Sequence, residues 1–303
     1  MVGKHICSVS VLLAILVLLP SCKPKLVAVT PPSSQDSHED NTDKTKDPEG
    51  LKLMSFNIRY QTDKDTGDQN WTKRRTAIWE MVNLRKPDIM GLQECWKSQR
   101  DDILRGCTDY GYIGVGRDDG KEGGEMVPIF YKKSEITIEQ WGTFWLSETP
   151  DVPSKDWDSG CNRCATWAKI LIKSSGKRIF YVNTHLDHVT ARVEQMEVLE
   201  RKMEEINTWN LPAFLTADFN ERDDSHLFDH VQTYMYNARK TAPITDNVKT
   251  YNSWGKTGSA SIIDIIFYSK DGATALKYRT VTESYKGIAF ISDHYPIYAI
   301  FSI

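Results

Sequence analysis

An adjacent carboxylate and imidazole, Asp293 and His294, lie between an apolar segment and Pro296 in the last part of the sequence. Histidine titrates near neutral pH and can donate or accept a proton, and a neighbouring carboxylate can orient it or bind a metal. An isolated Asp-His pair is common at protein surfaces. A catalytic role for this pair therefore requires other polar side chains that the fold brings to it.

Apolar segments with the features of β-strands precede or contain most of the other polar candidates. Alternating apolar residues over 51–56 predict a strand that ends at Asn57, and the buried segment 88–92 ends just before Glu94. We also predict strands over residues 126–131, 136–146, 165–172, 178–184, 212–217, 261–268 and 297–303. Near these strands lie the remaining candidates, which are His185, Asp218, Asn220, Asp264 (near the middle of its strand), Asp293 and His294.

The chemistry of these side chains is coherent. Polar groups at the ends of buried strands are costly without partners, so we expect them to meet in the fold. Carboxylate and amide oxygens without cysteine favour a hard cation, Mg²⁺ or Mn²⁺, over zinc. Two histidines and an asparagine suit a tetrahedral phosphate, which requires hydrogen-bond donors. Attack of an activated water on phosphorus is the reaction that these groups permit.

Few helices are expected between the strands. Residues 71–84 form an amphipathic helix with Thr72 in the N-cap position, and Lys86 and Pro87 end it. One face of a second helix is formed by Val189, Val193, Met196, Leu199, Met203 and Ile206. Residues 148–153 contain two prolines and are expected to form a loop. This order excludes a helical bundle and favours two sheets with helices outside them.

Composition and cysteine spacing set broader limits. The chain has 303 residues, of which 40% are hydrophobic, so a substantial core is expected. The net charge of −3 argues against a strongly basic surface that coats nucleic acid. Cys161 and Cys164 have the spacing of half a zinc knuckle, but no second such pair follows. We expect a local disulfide or free thiols, and the pairing of these two with Cys95 and Cys107 stays open.

Residues 1–21 have the pattern of an export signal, because Lys4 and His5 precede a short apolar run over residues 9–19. The sequence Leu-Pro-Ser-Cys at 19–22 looks like a bacterial lipobox, in which Cys22 becomes lipidated; a plain secretory signal is the alternative. Lipidation would anchor the exported protein to the cell envelope, on its periplasmic or surface face. Residues 22–50 are polar and predict a disordered tether, which leaves 51–303 as the folded domain.

Six short motifs occur in a characteristic order. They are Phe56-Asn57, Leu92-Gln93-Glu94, Asn183-Thr184-His185, Thr216-Ala217-Asp218-Phe219-Asn220, Ile263-Asp264-Ile265-Ile266-Phe267 and Ser292-Asp293-His294. As a set they resemble the endonuclease/exonuclease/phosphatase superfamily, in a bacterial lipoprotein branch, over residues 51–303. The resemblance implies an α/β (α+β) fold of the deoxyribonuclease I type. This is a four-layer αββα sandwich of two packed mixed β-sheets flanked by helices, with the site at one end.

The resemblance also implies which residues bind the metal and activate water. Glu94 would be the main Mg²⁺ (or Mn²⁺) ligand, with Asn57 and Asp293 beside it. Asp218 would align or deprotonate the attacking water, and Asn220 would help to fix water, metal or phosphate. A turn-capping role is the alternative for Asn57.

Further roles concern the phosphate. His294 would contact the scissile phosphate, oriented by Asp264, and His185 would be a second phosphate contact or a proton donor. Arg163 could bind phosphate through its planar donor fork or be an ordinary loop arginine. His188 could line the cleft or begin the following helix. Four further residues match recurrent positions of the bacterial branch, and we do not expect them to be catalytic. They are Arg59, Trp71, Arg74 and Arg117.

The motifs predict a metal-dependent phosphoesterase, and they leave the substrate open because family members differ in their loops. The partner expected is a phosphate ester. A secreted nuclease that acts on DNA or RNA is an alternative. The charge pattern does not indicate a nucleic-acid partner, since no run of Lys or Arg stands out. A surface-binding module that kept the fold and lost catalysis is the alternative of another class. We expect a monomer whose membrane contact is the lipid on Cys22.

Overall fold

The structure is a computed structural model, and it describes residues 47–256, 258 and 260–303. The predicted signal segment, Cys22 and most of the predicted tether lie outside the described residues. None of the helices in the described part of the chain is long and apolar enough to cross a lipid bilayer. These helices are α1 (Trp71–Arg85), α2 (Lys97–Gly106), α3 (Arg192–Ile206), α4 (Val231–Tyr234) and α5 (Ala238–Thr241).

Strands of the described chain form two six-stranded sheets. In chain order they are β1 (Leu51–Asn57), β2 (Ile89–Gln93), β3 (Tyr110–Ile113), β4 (Ile129–Lys132), β5 (Ile136–Trp145), β6 (Cys164–Ile172), β7 (Arg178–His185), β8 (Ala213–Asp218), β9 (Met235–Asn237), β10 (Asp264–Ser269), β11 (Thr274–Thr280) and β12 (Ile297–Ser302). The first sheet has the order β11-β12-β1-β2-β4-β3 and the second β5-β6-β7-β8-β10-β9. Both sheets are mixed, because β1 is parallel to β2 and β7 is parallel to β8.

Strand register brings polar residues into one row at the end of the second sheet. On β7 and β8, His185 pairs with Asp218, and on the antiparallel pair β8 and β10, Asp218 pairs with Asp264. In the first sheet Asn57 is the last residue of β1 and pairs with Gln93. Residues that are far apart in sequence thus reach the same end of the sandwich through ordinary strand pairing.

Alternation of side chains along the strands decides which of them face the other sheet. Leu53 of β1 and Phe214 of β8 belong to the core between the sheets, where Phe214 meets Phe301 edge to face at 5.0 Å between ring centroids. Asn57 and Asp218 are each an even number of positions further along the same strands. Their side chains therefore continue the inter-sheet face beyond its apolar layer.

A buried polar layer separates this apolar core from the end of the sandwich. Gln93 Nε2 donates to Asn183 Oδ1 at 2.7 Å, and Thr216 Oγ1 donates to the same oxygen at 3.0 Å. Gly91 permits the close approach, because a Cβ there would lie 2.3 Å from Asn183 Oδ1. The layer links the two sheets directly beneath the candidate catalytic residues.

Helices cover the outer faces of both sheets. Ile78 and Met81 of α1 pack on the first sheet beside Phe56, and Met196 and Leu199 of α3 pack on the second. The predicted architecture, two packed mixed sheets with helices outside them, is therefore confirmed.

Local details differ from the sequence prediction. The N-cap of α1 is Asn70 rather than Thr72, because the extended Asn70 accepts from the Thr72 amide at 3.0 Å. Asp264 is the first residue of β10 rather than near the middle of a strand, because the preceding Ser261 pairs with Tyr251 instead. The predicted apolar helix face is wrong at its start. Val189 lies in the turn that precedes α3, and Val193 lies in the first turn of α3 but is exposed.

Candidate active site

His294 is held between two carboxylates at the end of the sandwich. Its Nδ1 lies 2.8 Å from Asp264 Oδ2, and its Nε2 lies 3.7 Å from Asp218 Oδ2. All three residues are buried. The ring of Tyr251 contacts the imidazole edge to face, with 5.0 Å between ring centroids. Because Nδ1 is engaged by Asp264, Nε2 is the ring atom that faces the space beside Asp218.

Asn57 connects this group to Glu94. Its Nδ2 donates to Asp218 Oδ2 at 2.9 Å and to Glu94 Oε1 at 3.0 Å. The other Glu94 oxygen accepts from the Tyr60 amide at 3.0 Å. Glu94 has a left-handed backbone with φ of 58°, a conformation that non-glycine residues rarely adopt. The turn after β2 therefore aims the carboxylate back at the end of β1.

Asp293 lies beside this pair, on the side of Arg59. Arg59 Nη1 is 3.9 Å from Asp293 Oδ2, and the same guanidinium binds both oxygens of Asp65 at 3.2 and 3.3 Å. Ser292 Oγ donates to the Asn57 carbonyl at 2.7 Å. The turn that carries Asp293 and His294 is thus fastened to the end of β1.

A fully buried arginine, Arg74, fixes the same junction from the helix side. It donates to the carbonyls of Gln69 at 2.6 Å, Ile58 at 2.8 Å and Ile291 at 3.0 Å. These carbonyls belong to three separate segments that surround the site. The guanidinium therefore serves as a structural link between these segments.

Asn220 and His185 form the other wall. Asn220 Nδ2 lies 2.9 Å from His185 Nε2 and donates to the Leu186 carbonyl at 3.0 Å. The backbone amide of Asn220 donates to Asp218 Oδ1 at 2.9 Å. Because Nδ2 can only donate, His185 Nε2 accepts, and the neutral ring carries its proton on Nδ1. His185 Nε2 is also 3.4 Å from Asp218 Oδ2.

Burial and neighbouring charges separate the protonation states of these groups. Burial raises the pKa of Asp218 to about 7, with Asp264 adding to the rise and His294 opposing it. Burial by itself disfavours the charged form of His294, but Asp264 and Asp218 raise its pKa well above the ordinary value. Burial lowers the pKa of His185 well below its ordinary value, and the nearby cation of Arg163 lowers it further. His294 is therefore the charged imidazole and His185 the neutral one.

Arg163 lines a small cavity together with His185, and His188 contacts Arg163. Arg163 is buried and its Nη2 is 3.3 Å from His188 Nδ1, whereas its Nε and Nη1 have no hydrogen-bond partner among the described residues. The His188 side chain is 61% exposed and precedes α3 by four residues, so it does not begin that helix. Arg117, which lines the same small cavity as Arg163 and His185, forms an ion pair with Glu125 at 2.8 Å.

Sequence reasoning did not identify Asp187, which shapes the loop that carries His188. Its buried carboxylate accepts from the amides of Gly160 at 3.1 Å, Val189 at 2.9 Å and Thr190 at 3.1 Å. An aspartate just after the end of a strand commonly stabilises a turn, because its carboxylate accepts from the backbone amide two residues further on. Its position two residues after His185 was therefore a usable signal.

Cys161 and Cys164 are free thiols, and so are Cys95 and Cys107. The local disulfide is therefore absent among the described cysteines.

Metal-capable His, Cys, Asp and Glu side chains come together within 4.8 Å in one group of the described chain. This group contains no cysteine and consists of Asp218, Asp264 and His294.

The expected metal ligands, Glu94, Asp293 and Asn57, form a second oxygen-rich set beside this group. Burial raises the pKa of Asp293, and the nearby Glu94 charge contributes to the rise. Two carboxylates that repel one another are stabilised when a cation lies between them. The side-chain oxygen of Asn57, Oδ1, accepts from the backbone amide of Arg59 at 3.0 Å, which caps the turn after β1, and it keeps a second lone pair. This all-oxygen donor set fits a hard divalent cation better than the Asp264–His294 pair, whose Nδ1 is already hydrogen-bonded.

A family model described as the endonuclease/exonuclease/phosphatase family matches residues 54–294. The chain belongs to this family. The matched range includes every candidate site residue from Asn57 to His294, so the superfamily that the motifs resemble is confirmed.

Relatives with known structures support the assignment. A mannosyl-6-phosphatase from Bacteroides thetaiotaomicron VPI-5482 is 34% identical with a TM-score of 0.79, over 84% of this chain and 100% of that one. An endonuclease/exonuclease/phosphatase from Bacteroides vulgatus is 35% identical with the same TM-score and coverage. Among curated proteins, an uncharacterized protein of Acanthamoeba polyphaga mimivirus is 26% identical over 251 residues, 76% of this chain and 92% of its own length. Family and neighbours together support a hydrolase of phosphoester bonds.

Proposed function

We propose that this protein is a divalent-metal-dependent phosphatase that removes phosphate from a phosphorylated sugar. One observation carries the proposal: side chains from both sheets converge on the Asp218 carboxylate at one end of the sandwich. Asn57 donates to it from the first sheet, while His294 and His185 flank it. A buried carboxylate between an imidazole and an oxygen-ligand set suits a metal-assisted attack of water on phosphorus.

Asp218 is suited to orient and deprotonate the attacking water. One of its oxygens is fixed by the Asn220 amide and the other by Asn57 Nδ2, so the carboxylate cannot rotate away. His185 accepts from Asn220 Nδ2 and so keeps the Asn220 side chain beside this carboxylate. Because His185 is neutral, we assign it to positioning these two residues and not to proton donation.

His294 is suited to bind a phosphoryl oxygen. Asp264 holds Nδ1, so Nε2–H points to the space beside Asp218, where a phosphate would lie. A charged donor placed where negative charge develops stabilises the transition state more than the ground state. Mg²⁺ or Mn²⁺ held by Glu94, Asn57 and Asp293 would neutralise charge on the phosphate and the leaving oxygen.

Two considerations favour a phosphorylated sugar as substrate. The relative named as a mannosyl-6-phosphatase is 34% identical and is covered over its full length. The formal charge of this chain is −3, which offers no overall attraction for a polyanionic nucleic acid. A small phosphate monoester is consistent with both observations.

The test is release of inorganic phosphate by the purified protein with Mg²⁺ present. We expect release from hexose 6-phosphates and little cleavage of bis(p-nitrophenyl) phosphate or single-stranded DNA. Cleavage of DNA in preference to every monoester would overturn the sugar-phosphatase assignment and support a nuclease. Binding of the ester without any turnover, in the presence of Mg²⁺ or Mn²⁺, would support the non-catalytic binding module.

We further propose that the phosphatase domain, residues 51–303, acts outside the cytoplasm on a tether anchored through a lipid on Cys22. The apolar run and the Leu-Pro-Ser-Cys sequence at 19–22 support this location. Expression of a Cys22→Ala variant in a bacterial host provides the test. The wild type should fractionate with membranes and the variant with soluble proteins. Equal membrane association of both would exclude a lipid anchor on Cys22.

A further inference from the structure

A cavity of about 330 Å³ adjoins the turn that carries Asp293 and His294. It lies at the small end of ligand pockets, which span roughly 300–1,000 Å³. Neither the catalytic carboxylates nor His294 line it. The residues that do are Thr66, Asp68, Gln69, Trp254, Ala289 and Phe290.

The lining combines an aromatic wall with a polar edge. Trp254 and Phe290 are partly exposed and present apolar ring surface, while Asp68 and Gln69 present hydrogen-bonding oxygens and an amide. A sugar ring has matching chemistry, since its C–H face is apolar and its hydroxyls point outward around the edge. None of the described residues that line the cavity is cationic, and Asp68 would repel a phosphate. The pocket therefore suits a neutral, hydroxyl-bearing group.

The Trp254 wall is fastened to the catalytic turn. The amides of Asn252 and Ser253 both donate to the Asp293 carbonyl, at 2.8 and 3.1 Å. Asn252 Oδ1 then accepts from the Trp254 amide at 2.8 Å. These bonds fix the tryptophan relative to the carboxylate and imidazole that follow one another in the chain.

The backbone of this wall is strained. Ser253, Trp254 and Gly255 are consecutive left-handed residues with φ of 50°, 59° and 76°. Left-handed non-glycine residues cost free energy and persist where the surrounding structure holds them, often at ligand sites. Gly255 cannot carry a side chain here, because a Cβ would lie 2.6 Å from the Phe290 ring. The Trp254 ring lines the cavity, and the Arg74 guanidinium contacts it with 5.3 Å between Cζ and the ring centroid.

The opposite wall is tied to the same centre. Thr66, Asp68 and Gln69 follow Asp65, whose carboxylate binds Arg59, and Arg59 faces Asp293. Asp68 is paired with Lys73 at 3.2 Å, but both side chains are mostly exposed, so the pair is weak and can yield to a ligand. Both walls of the cavity are therefore connected, through hydrogen bonds and ion pairs, to Asp293 at the end of the sandwich.

We infer that this cavity, which we name the Trp254 pocket, binds the sugar ring of the phosphate ester whose phosphate is cleaved at Asp218 and His294. The inference rests on the proposed function and adds the residues that choose the leaving group. The Trp254 indole stacks on the ring face, and Asp68 and Gln69 accept and donate hydrogen bonds to its hydroxyls. The pocket thereby selects hexose phosphates over esters with small alkyl groups.

A comparison of two substrates tests this inference. The full-length protein with Mg²⁺ is assayed on a hexose 6-phosphate and on ethyl phosphate, whose alkyl group is too small to reach the pocket. For Trp254→Ala we expect kcat/KM on the hexose phosphate to fall about tenfold, mainly through KM, as on removal of a large aromatic contact. Activity on ethyl phosphate should fall much less than activity on the hexose phosphate, and circular dichroism verifies that the variant is folded.

Matched variants sharpen the result. Trp254→Phe keeps an aromatic face and should retain most of the hexose activity, while Asp68→Ala should raise KM for the hexose ester alone. Trp141→Ala, which removes an exposed tryptophan of β5 outside the pocket, should change neither substrate. Equal losses on both substrates, or no loss on either, in Trp254→Ala and Asp68→Ala would overturn the pocket assignment alone. No phosphate release from either ester by the wild type would overturn the proposed function and, with it, this inference.

Discussion

Asp264 and His294 are separated by thirty residues in the sequence, and their side chains meet at 2.8 Å across the end of the sandwich. Asp264 begins β10 in the second sheet, whereas His294 belongs to the turn before β12 in the first. The contact therefore joins the two sheets at the site. It fixes one imidazole nitrogen and directs the other toward Asp218, which gives His294 both its charge and its orientation.

Asp264→Asn should lower kcat roughly 10–100-fold with little change in KM, as is common when the partner of a site residue is replaced. The amide can still meet Nδ1, but it no longer stabilises the charged imidazole. Steady-state kinetics on a hexose 6-phosphate measure the effect. Asp271→Asn, an exposed aspartate just beyond the other end of β10, is the control. Wild-type kcat in Asp264→Asn would contradict the orienting role.

His294→Ala should lower kcat by about 10²–10³-fold, the loss expected when a charged donor to a developing oxyanion is removed. The measurement is initial rate at saturating substrate, with circular dichroism to verify folding. His226→Ala provides the control, because that side chain is fully exposed. Retention of wild-type turnover in a folded His294→Ala protein would exclude the phosphate-binding role.

Glu94→Gln should raise the Mg²⁺ concentration for half-maximal activity by roughly tenfold or more, since affinity for a hard cation depends on ligand charge. Activation curves with Mg²⁺ and Mn²⁺ after dialysis against EDTA measure this change. Glu204→Gln, an exposed residue of α3, should behave like the wild type. An unaltered activation curve in Glu94→Gln would place the metal elsewhere, with the Asp218, Asp264 and His294 group as the next candidate.

Much of this site was predictable from local sequence. Period-two alternation predicts the strands, and strand pairing then brings the ends of β1, β7 and β8 together. Asn57, His185 and Asp218 each occupy a position that continues the inter-sheet face, and the approximate strand ends suffice to place them. Local pattern therefore indicates which residues meet, although it does not give their hydrogen bonds.

Long-range contacts were not predictable in this way. Arg74 has the pattern of any helix residue, yet its guanidinium binds the carbonyl of Ile291, 217 residues away. Trp254 acquires its position from bonds between its loop and Asp293. Such roles depend on tertiary distances, which neither periodicity nor composition contains.

The true N-cap of α1, Asn70, was missed because asparagine and threonine are both good caps and only backbone conformation distinguishes them.

Asp187→Ala should destabilise the protein by about 1–3 kcal/mol at pH 7, because three backbone amides lose their acceptor. Burial opposes the charge on this carboxyl, but the amides of Val189, Thr190 and Gly160 lower its pKa below the ordinary value. Such a group stabilises the fold above its unfolded pKa of about 3.9 and loses that contribution as the pH falls through the lower folded value.

Urea unfolding at pH 7 and below pH 4 measures this prediction. The difference between wild type and Asp187→Ala should be large at pH 7 and should narrow as the acid range is entered. Asp63→Ala, at an exposed position, is the control. A difference that stays constant across this range would show that the aspartate acts through packing and not through its charge.

The most direct measurement of the central claim is inorganic phosphate released from a hexose 6-phosphate by the wild-type protein, with and without divalent metal. We predict turnover with Mg²⁺ or Mn²⁺, loss of activity with EDTA, and recovery when the metal is restored. His294→Ala should show the same dependence on metal, at a rate about 10²–10³-fold lower than that of the wild type. Full activity in EDTA would contradict the metal requirement, and no phosphate release with either metal would contradict the sugar-phosphatase assignment.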